Sequence, residues 1–214
     1  MHDVVDKLIS IQEKIQIKNN KTKIVVVSKT FPIEDVIPLI KHGHKDFGEN
    51  KIQEALKKWV LVKKEYDDIK LHMIGKIQSN KVKIMMPLFD YLHSLDSLKL
   101  AQKISEEQKK FETKIKIFIQ INIGDELQKG GIAPNEVESF KKKCIDELNL
   151  DVIGLMCLPP KNKEPNVYFE EMNNLLKKTD LNELSMGMSN DYLEATDYNS
   201  TFVRIGSKIF GDRS

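Results

Sequence analysis

Apolar residues recur along this chain in two rhythms. Val4, Val5, Leu8, Ile11 and Ile15 fall at helical spacing, so the opening segment reads as an amphipathic helix packed against something, ended by Asn19-Asn20. Beyond it, short apolar and β-branched runs alternate with longer helical stretches. Strands are expected near 24–27, 45–48, 71–74, 91–93, 115–122, 152–155, 183–185 and 201–204. The clearest helices cover 33–42, 51–65, 97–110, 134–147, 166–177 and 191–197.

A βα alternation of this kind points to a parallel sheet covered by helices. Eight such units in 214 residues point to an α/β fold closed as a (β/α)8 barrel, one domain over 1–214 with an extra helix ahead of the first strand. A doubly wound open sheet is the other architecture compatible with the pattern.

Composition narrows the function. Apolar residues make up 40% and charged residues 31%, as in a soluble globular protein, and 34 basic residues nearly cancel 32 acidic ones. A net charge of +2 supplies no global attraction for nucleic acid, and runs such as Lys141-Lys142-Lys143 read as solvated helix faces. Cys144 and Cys157 have neither disulfide-framework nor zinc-ligand spacing, and Cys157 sits in an apolar run as a small hydrophobe. The first residues carry Asp3, Asp6 and Glu13 without an unbroken apolar core, which fits neither a signal peptide nor a membrane span. A reducing cytoplasm is the expected location. His42 and His44 flank Gly43 without a third metal ligand in the sequence, whereas His72 and His93, near strand ends, read as hydrogen-bonded structural residues.

In a barrel, residues just past the strand C-termini share one face. Lys29, Glu49, Asn50, Gly75, Ser94, Asp96, Asn122 and Met156 are expected there, with Gly187, Met188 and Ser189 after strand 7 and Gly206 and Ser207 after strand 8. Glycine and asparagine also end strands as turn formers, but Lys29, one residue beyond the run IVVVS, is poorly explained that way. The last two loops each hold a glycine where backbone can approach a ligand and a serine, Ser189 or Ser207, placed to begin a short helix. Barrels often hold a phosphate there, although plain N-capping serines would look the same. A phosphate site opposite a lysine suits pyridoxal phosphate (PLP), whose aldehyde forms a Schiff base with an amine that partial burial would free of its proton. Arg204, ending strand 8, is placed either to meet the cofactor's ring nitrogen, keeping it unprotonated, or to pair with a carboxylate.

The segments VSKTFP, FGENKIQEA, HMIGKIQSNK, HSLD, QINIGDELQKGGI, GLMCLPP, LSMGMSNDYLEA and VRIGSKIFGDR run in this order from Val27 to Arg213. Together they closely resemble the pyridoxal-phosphate homeostasis proteins, also called the proline-synthetase-co-transcribed family. The resemblance implies a barrel like the N-terminal domain of alanine racemase. It implies the cofactor lysine at Lys29, phosphate contacts at Met188-Ser189 and Gly206-Ser207, the ring-nitrogen arginine at Arg204 and a cofactor-side asparagine at Asn50. Ser207 stands where the family often has threonine, Asn190 where it often has aspartate, and Leu71 where it often has an aromatic residue.

What the resemblance implies is a carrier that keeps the free PLP level and amino-acid pools in balance, with PLP-dependent apoenzymes as possible recipients, rather than an enzyme with an established substrate. The alternative is a PLP-dependent, racemase-like enzyme with weak activity. Alanine racemases use a second domain that supplies a catalytic tyrosine; none is expected here, because the chain ends at Ser214 directly after the eighth unit. The five tyrosines, Tyr66, Tyr91, Tyr168, Tyr192 and Tyr198, fall mostly in expected helices. A barrel of this size can stand alone, so a monomer is expected.

Overall fold

The computed structural model describes residues 3–19, 21–126 and 128–211. Asn20 at the expected end of the first helix, Leu127 of the QINIGDELQKGGI segment and residues 212–214 lie outside them. Strands β1 (Lys23–Val27), β2 (Asp46–Glu49), β3 (Lys70–Met73), β4 (Tyr91–Leu95), β5 (Lys116–Ile121), β6 (Asp151–Cys157), β7 (Glu183–Met188) and β8 (Phe202–Ile205) pair in chain order, all parallel. Strand β8 returns to β1, in the register Lys23↔Phe202 to Val26↔Ile205, and closes the barrel.

The helices are α1 (Asp3–Lys18), α2 (Ile33–Lys41), α3 (Ile52–Glu65), α4 (Val82–Met85), α5 (Leu98–Phe111), α6 (Val137–Lys142), α7 (Pro165–Leu176), α8 (Tyr192–Asp197) and α9 (Ser207–Phe210). Helix α1 buries Val5, Leu8, Ile11 and Ile15 on one stripe and packs against α2, α8 and α9, so the apolar face read from the sequence finds its partner there.

Strand geometry splits the core in two. Side chains alternate across a strand, so Ile24 and Val26 face the helices while Val25 points into the barrel. Inside, Val25, Tyr91, Phe118, Met156 and Phe202, from five different strands, pack on one another. The far larger outer core fills the layer between strands and helices, with Trp59, Phe47 and Phe169 fully buried. Gly154 marks the tightest approach: a Cβ there would lie 2.0 Å from the Glu183 carbonyl oxygen of the adjacent strand.

Three departures from the sequence reading have local causes. A turn of helix, Ser79–Lys81 leading into α4, fills the β3–β4 crossover, too short to display a helical period. The expected helix over 134–147 is divided into a 3-10 turn (Pro134–Glu136), α6, and a π-helical turn (Lys143–Glu147). Strands β4, β6 and β7 run further than their turn-forming residues suggest, so Ser94, Met156, Gly187 and Met188 lie within strands rather than beyond them. Glu49 likewise is the last residue of β2.

Glu49 does not reach the rim. Its side chain is fully buried on the helix side of the sheet, where one oxygen, Oε1, accepts from Ser28 Oγ (2.8 Å), Lys58 Nζ (2.7 Å) and Trp59 Nε1 (3.0 Å). Lys58 Nζ also donates to the Ser28 carbonyl at 2.7 Å. Helix α3 thereby grips the end of β1 through both the hydroxyl and the backbone of the residue before Lys29. Replacing Lys58 by methionine leaves a buried carboxylate without its cation and is expected to cost about 3 kcal/mol of stability. Urea denaturation measures the loss; a value under about 1 kcal/mol would make the pair no stronger than a surface salt bridge.

Candidate functional site

The C-terminal rim of the barrel collects most of the residues singled out above. Past β1 the chain turns at once: Phe31 N–H donates to the Ser28 carbonyl oxygen at 3.1 Å, closing a β-turn with Lys29 and Thr30 at its corners. Thr30 has φ of 70°, the left-handed conformation that a non-glycine residue adopts only when its surroundings demand it. Two anchors supply that demand. The Glu49–Lys58 pair holds Ser28, and the Phe31 ring stacks on Phe210 of α9 with centroids 4.5 Å apart. Lys29, half-buried, is thus presented from a turn fixed on both sides.

The same stacking brings α9 and the loops after β7 and β8 beside that turn. Ser189, buried, accepts from the Gly206 N–H at 3.3 Å, so the two expected phosphate loops touch. The capping roles expected of the serines are corrected. Asp191, not Ser189, occupies the N-cap position of α8 without a side-chain capping bond, its carboxylate accepting instead from the Met188 N–H of β7 at 2.6 Å, and Gly206 occupies the N-cap position of α9, with Ser207 as the exposed first helical residue. The glycines also make room for neighbouring protein atoms. Gly187 has φ of +88° within β7, and a Cβ there would meet the Ala195 methyl at 2.6 Å; a Cβ on Gly206 would lie 3.1 Å from the Val27 carbonyl oxygen. Met188 extends to the surface.

Arg204 points into the barrel from β8 and is almost wholly buried. Its Nη1 donates to the Ser185 carbonyl (2.7 Å) and hydroxyl (2.5 Å), and its Nη2 to the Cys157 carbonyl (2.8 Å). No carboxylate pairs with it among the described residues. Burial pushes the guanidinium pKa down, opposed by Cys157 and Asp191. Cys157 is itself buried, and the same desolvation raises its thiol to about 12, as suits an inert packing residue.

Asn50 follows β2, its backbone pressed on Gly75, where a Cβ would lie 2.2 Å from the Asn50 carbonyl oxygen. Its side-chain Oδ1 is buried and has no hydrogen-bond partner among the described residues. Ser94 instead binds back to the rim, donating to the Gly75 carbonyl at 2.7 Å. Asn122 closes its own loop, accepting from Glu126 N–H at 3.2 Å and donating to the Glu126 carbonyl at 3.1 Å. Lys129 is tied to the Leu158 and Pro159 carbonyls, each at 3.2 Å, and to Glu126. His72 and His93 are hydrogen-bonded inside the barrel, as the sequence suggested. Ser185, the direct partner of Arg204, was not singled out; its only sequence signal is its place on the inward face of β7, two residues before Gly187.

Comparison with known proteins agrees with the barrel fold. Residues 8–214 match the family model described as alanine racemase, N-terminal domain. A pyridoxal phosphate homeostasis protein of Aquifex aeolicus is 36% identical over 203 residues, covering 91% of this chain and 88% of the relative. One from Mus musculus is 38% identical over 213 residues, covering 89% and 77%. Among solved structures, PipY of Synechococcus elongatus, determined with PLP bound, superposes with a TM-score of 0.89 at 26% identity, covering 97% of this chain and all of that one (100%). An alanine racemase of Clostridium difficile, at 18% identity and a TM-score of 0.73, shares the fold, this chain matching 57% of it. With its parallel eight-stranded barrel and a sequence match along nearly its whole length, the chain belongs to the pyridoxal phosphate homeostasis protein family.

Proposed function

We propose that this chain binds PLP at the C-terminal rim of its barrel and holds it as a cellular reserve, with Lys29 as the attaching amine. In that attachment the Lys29 nitrogen bonds to the aldehyde carbon as a Schiff base, and the aldehyde oxygen leaves as water. The observation that carries the reading is the convergence on one rim of a rigidly anchored lysine turn, two loops joined through Ser189 and Gly206, and a buried arginine.

The residues fit the cofactor chemically. The buried, unsatisfied Oδ1 of Asn50 suits a ring hydroxyl donor. Ser189 and Ser207, with the backbone around Met188 and Gly206, suit the phosphate. Arg204 supports a binding role rather than turnover. A guanidinium is a donor that keeps its charge, so beside the ring nitrogen it leaves that nitrogen unprotonated and the ring a weak electron sink. The tyrosines support the same view: Tyr66, Tyr168, Tyr192 and Tyr198 lie in or at the ends of outer helices, and Tyr91 lies inside β4. The naming of the relatives as homeostasis proteins is in keeping with it. A cytoplasmic monomer that hands PLP to apoenzymes completes the reading.

Borohydride reduction of PLP-loaded protein followed by peptide mapping is expected to label Lys29 alone, and Lys29→Ala is expected to abolish the label and the visible absorbance. Labelling at Lys76, Lys81 or Lys129 instead would overturn the assignment. The phosphate loops have their own test. Ser189→Ala combined with Ser207→Ala is expected to weaken PLP binding about tenfold or more, while pyridoxal, which lacks the phosphate, binds as before. Equal weakening of both ligands would remove the phosphate from these loops.

A further inference from the structure

Five side chains make a continuous hydrogen-bonded line through the barrel interior. At the floor, Asp46 Oδ1 meets His72 Nε2 at 2.9 Å; His72 Nδ1 meets His93 Nε2 at 2.9 Å; His93 Nδ1 meets Ser185 Oγ at 2.7 Å. Ser185 Oγ then meets Arg204 Nη1 at 2.5 Å, below the rim. The three middle residues are fully buried, and their surroundings are apolar and aromatic. His72 stacks on Tyr91 with centroids 4.2 Å apart, and His93 stacks on Phe118 at 4.4 Å. Asp46 alone opens to solvent, its side chain 24% exposed beside a floor cavity of about 510 Å³ also lined by Lys23 and His44.

The two ends decide the direction of every bond between them. A guanidinium only donates and a carboxylate only accepts. Arg204 therefore donates to Ser185, whose hydroxyl hydrogen is left to donate to His93 Nδ1. His93 must then carry its hydrogen on Nε2 and donate to His72 Nδ1, and His72 donates from Nε2 to Asp46. With both rings neutral, one proton arrangement satisfies all four links. Neutral rings agree with burial, which lowers the pKa of His72 and takes that of His93 well below its usual value, with His72 and Arg204 adding to the effect on His93. At Asp46, burial favours the protonated acid, but the hydrogen bond from His72 opposes it, with Lys23 adding, and the pKa is lowered.

We infer that Asp46, on the opposite face of the barrel from the rim, is a positioning residue for Arg204, acting through one polarised line of hydrogen bonds across His72, His93 and Ser185. This rests on the reading that Arg204 meets the ring of PLP. The carboxylate holds both histidines in a single tautomer, and that tautomer keeps the Ser185 hydroxyl turned away from Arg204, its oxygen free to accept. Reversal of the line would make His93 Nδ1 a donor and leave the buried Ser185 hydroxyl hydrogen without its acceptor. The charged and titratable groups facing the floor end are Lys23, His44 and Asp90, with the Tyr91 ring against His72.

Isotope-labelled histidine nitrogen NMR of the ligand-free protein reads the line directly. His72 and His93 are expected each as the Nε2–H tautomer, and Asp46→Asn is expected to populate the Nδ1–H form of both. PLP titration supplies the second readout. Ser185→Ala, which cuts the line beside Arg204, is expected to weaken binding about tenfold, the factor associated with a hydrogen bond to a charged group, and Asp46→Asn to weaken it about threefold or more. Melting temperatures of the variants separate loss of fold from loss of binding. An Nδ1–H tautomer at His93 in the wild-type protein overturns the proposal whatever the variants do. So does wild-type PLP affinity in both folded variants. Failure of the wild-type protein to bind PLP would instead defeat the cofactor reading and leave the tautomer result standing.

Discussion

The pairing of β8 with β1 is the contact on which the site depends. It removes the last free edge of the sheet and brings the first and last strands into one register. In that register Val25 lies opposite Arg204 and Val26 opposite Ile205, so Arg204 turns inward and the chain after Ile205 emerges beside the chain after Val27. A slip of one residue would turn Arg204 out into the helix layer and carry Gly206 away from Val27. The closeness of the lysine turn to the last two loops, 160 and more residues later in the chain, is thus a consequence of barrel closure, reinforced by Phe31 stacking on Phe210.

Closure also creates an unusual interior. Most of the apolar burial is in the outer layer, where helices and strands share a continuous core. The inner space is narrow and carries aromatic rings around a polar line. Buried polar groups are tolerable when each has a partner and charge is kept to the ends. Here the two histidines are held neutral, while the cation at one end is met by the carbonyl oxygens of Ser185 and Cys157 and the anion at the other reaches solvent. Glu49 solves a different problem on the outer side: it gathers a hydroxyl, an ammonium and an indole on a single oxygen, and so makes α3 a brace for the end of β1.

The parts of this architecture carried by periodicity were legible in the chain. The IVVV run, the amphipathic stripe of α1 and the alternation of strand with helix give the barrel almost element by element. The rim residues Lys29, Arg204 and Gly206 were legible because strand ends in a barrel share a face. What periodicity cannot carry is orientation and reach. Glu49 adjoins Asn50 in sequence, yet the strand's alternation turns it into the outer layer, where its partners are Lys58 and Trp59 of α3 and Ser28 after β1, contacts that strand and helix periods do not reveal. Gly187 and Ser94 look like turn residues and lie in strands, because one is needed against α8 and the other bonds to Gly75. Ser185 was invisible for the same reason: its importance comes from two partners, His93 and Arg204, on other strands.

These features explain why a rim suited to PLP would favour holding it over transforming it. Carbanion chemistry at this cofactor is favoured by a ring nitrogen that can take a proton and by groups that move protons near the lysine. Arg204 is tied to two backbone carbonyls and a serine, which leaves it little freedom to yield its place to an acid. The histidines that could carry a proton lie below it with their nitrogens committed to one another, to Ser185 and to Asp46. The lysine turn is braced by contacts on both sides, with Thr30 in a left-handed conformation between them. If the rim holds PLP as proposed, donors this firmly committed would add to affinity through preorganisation.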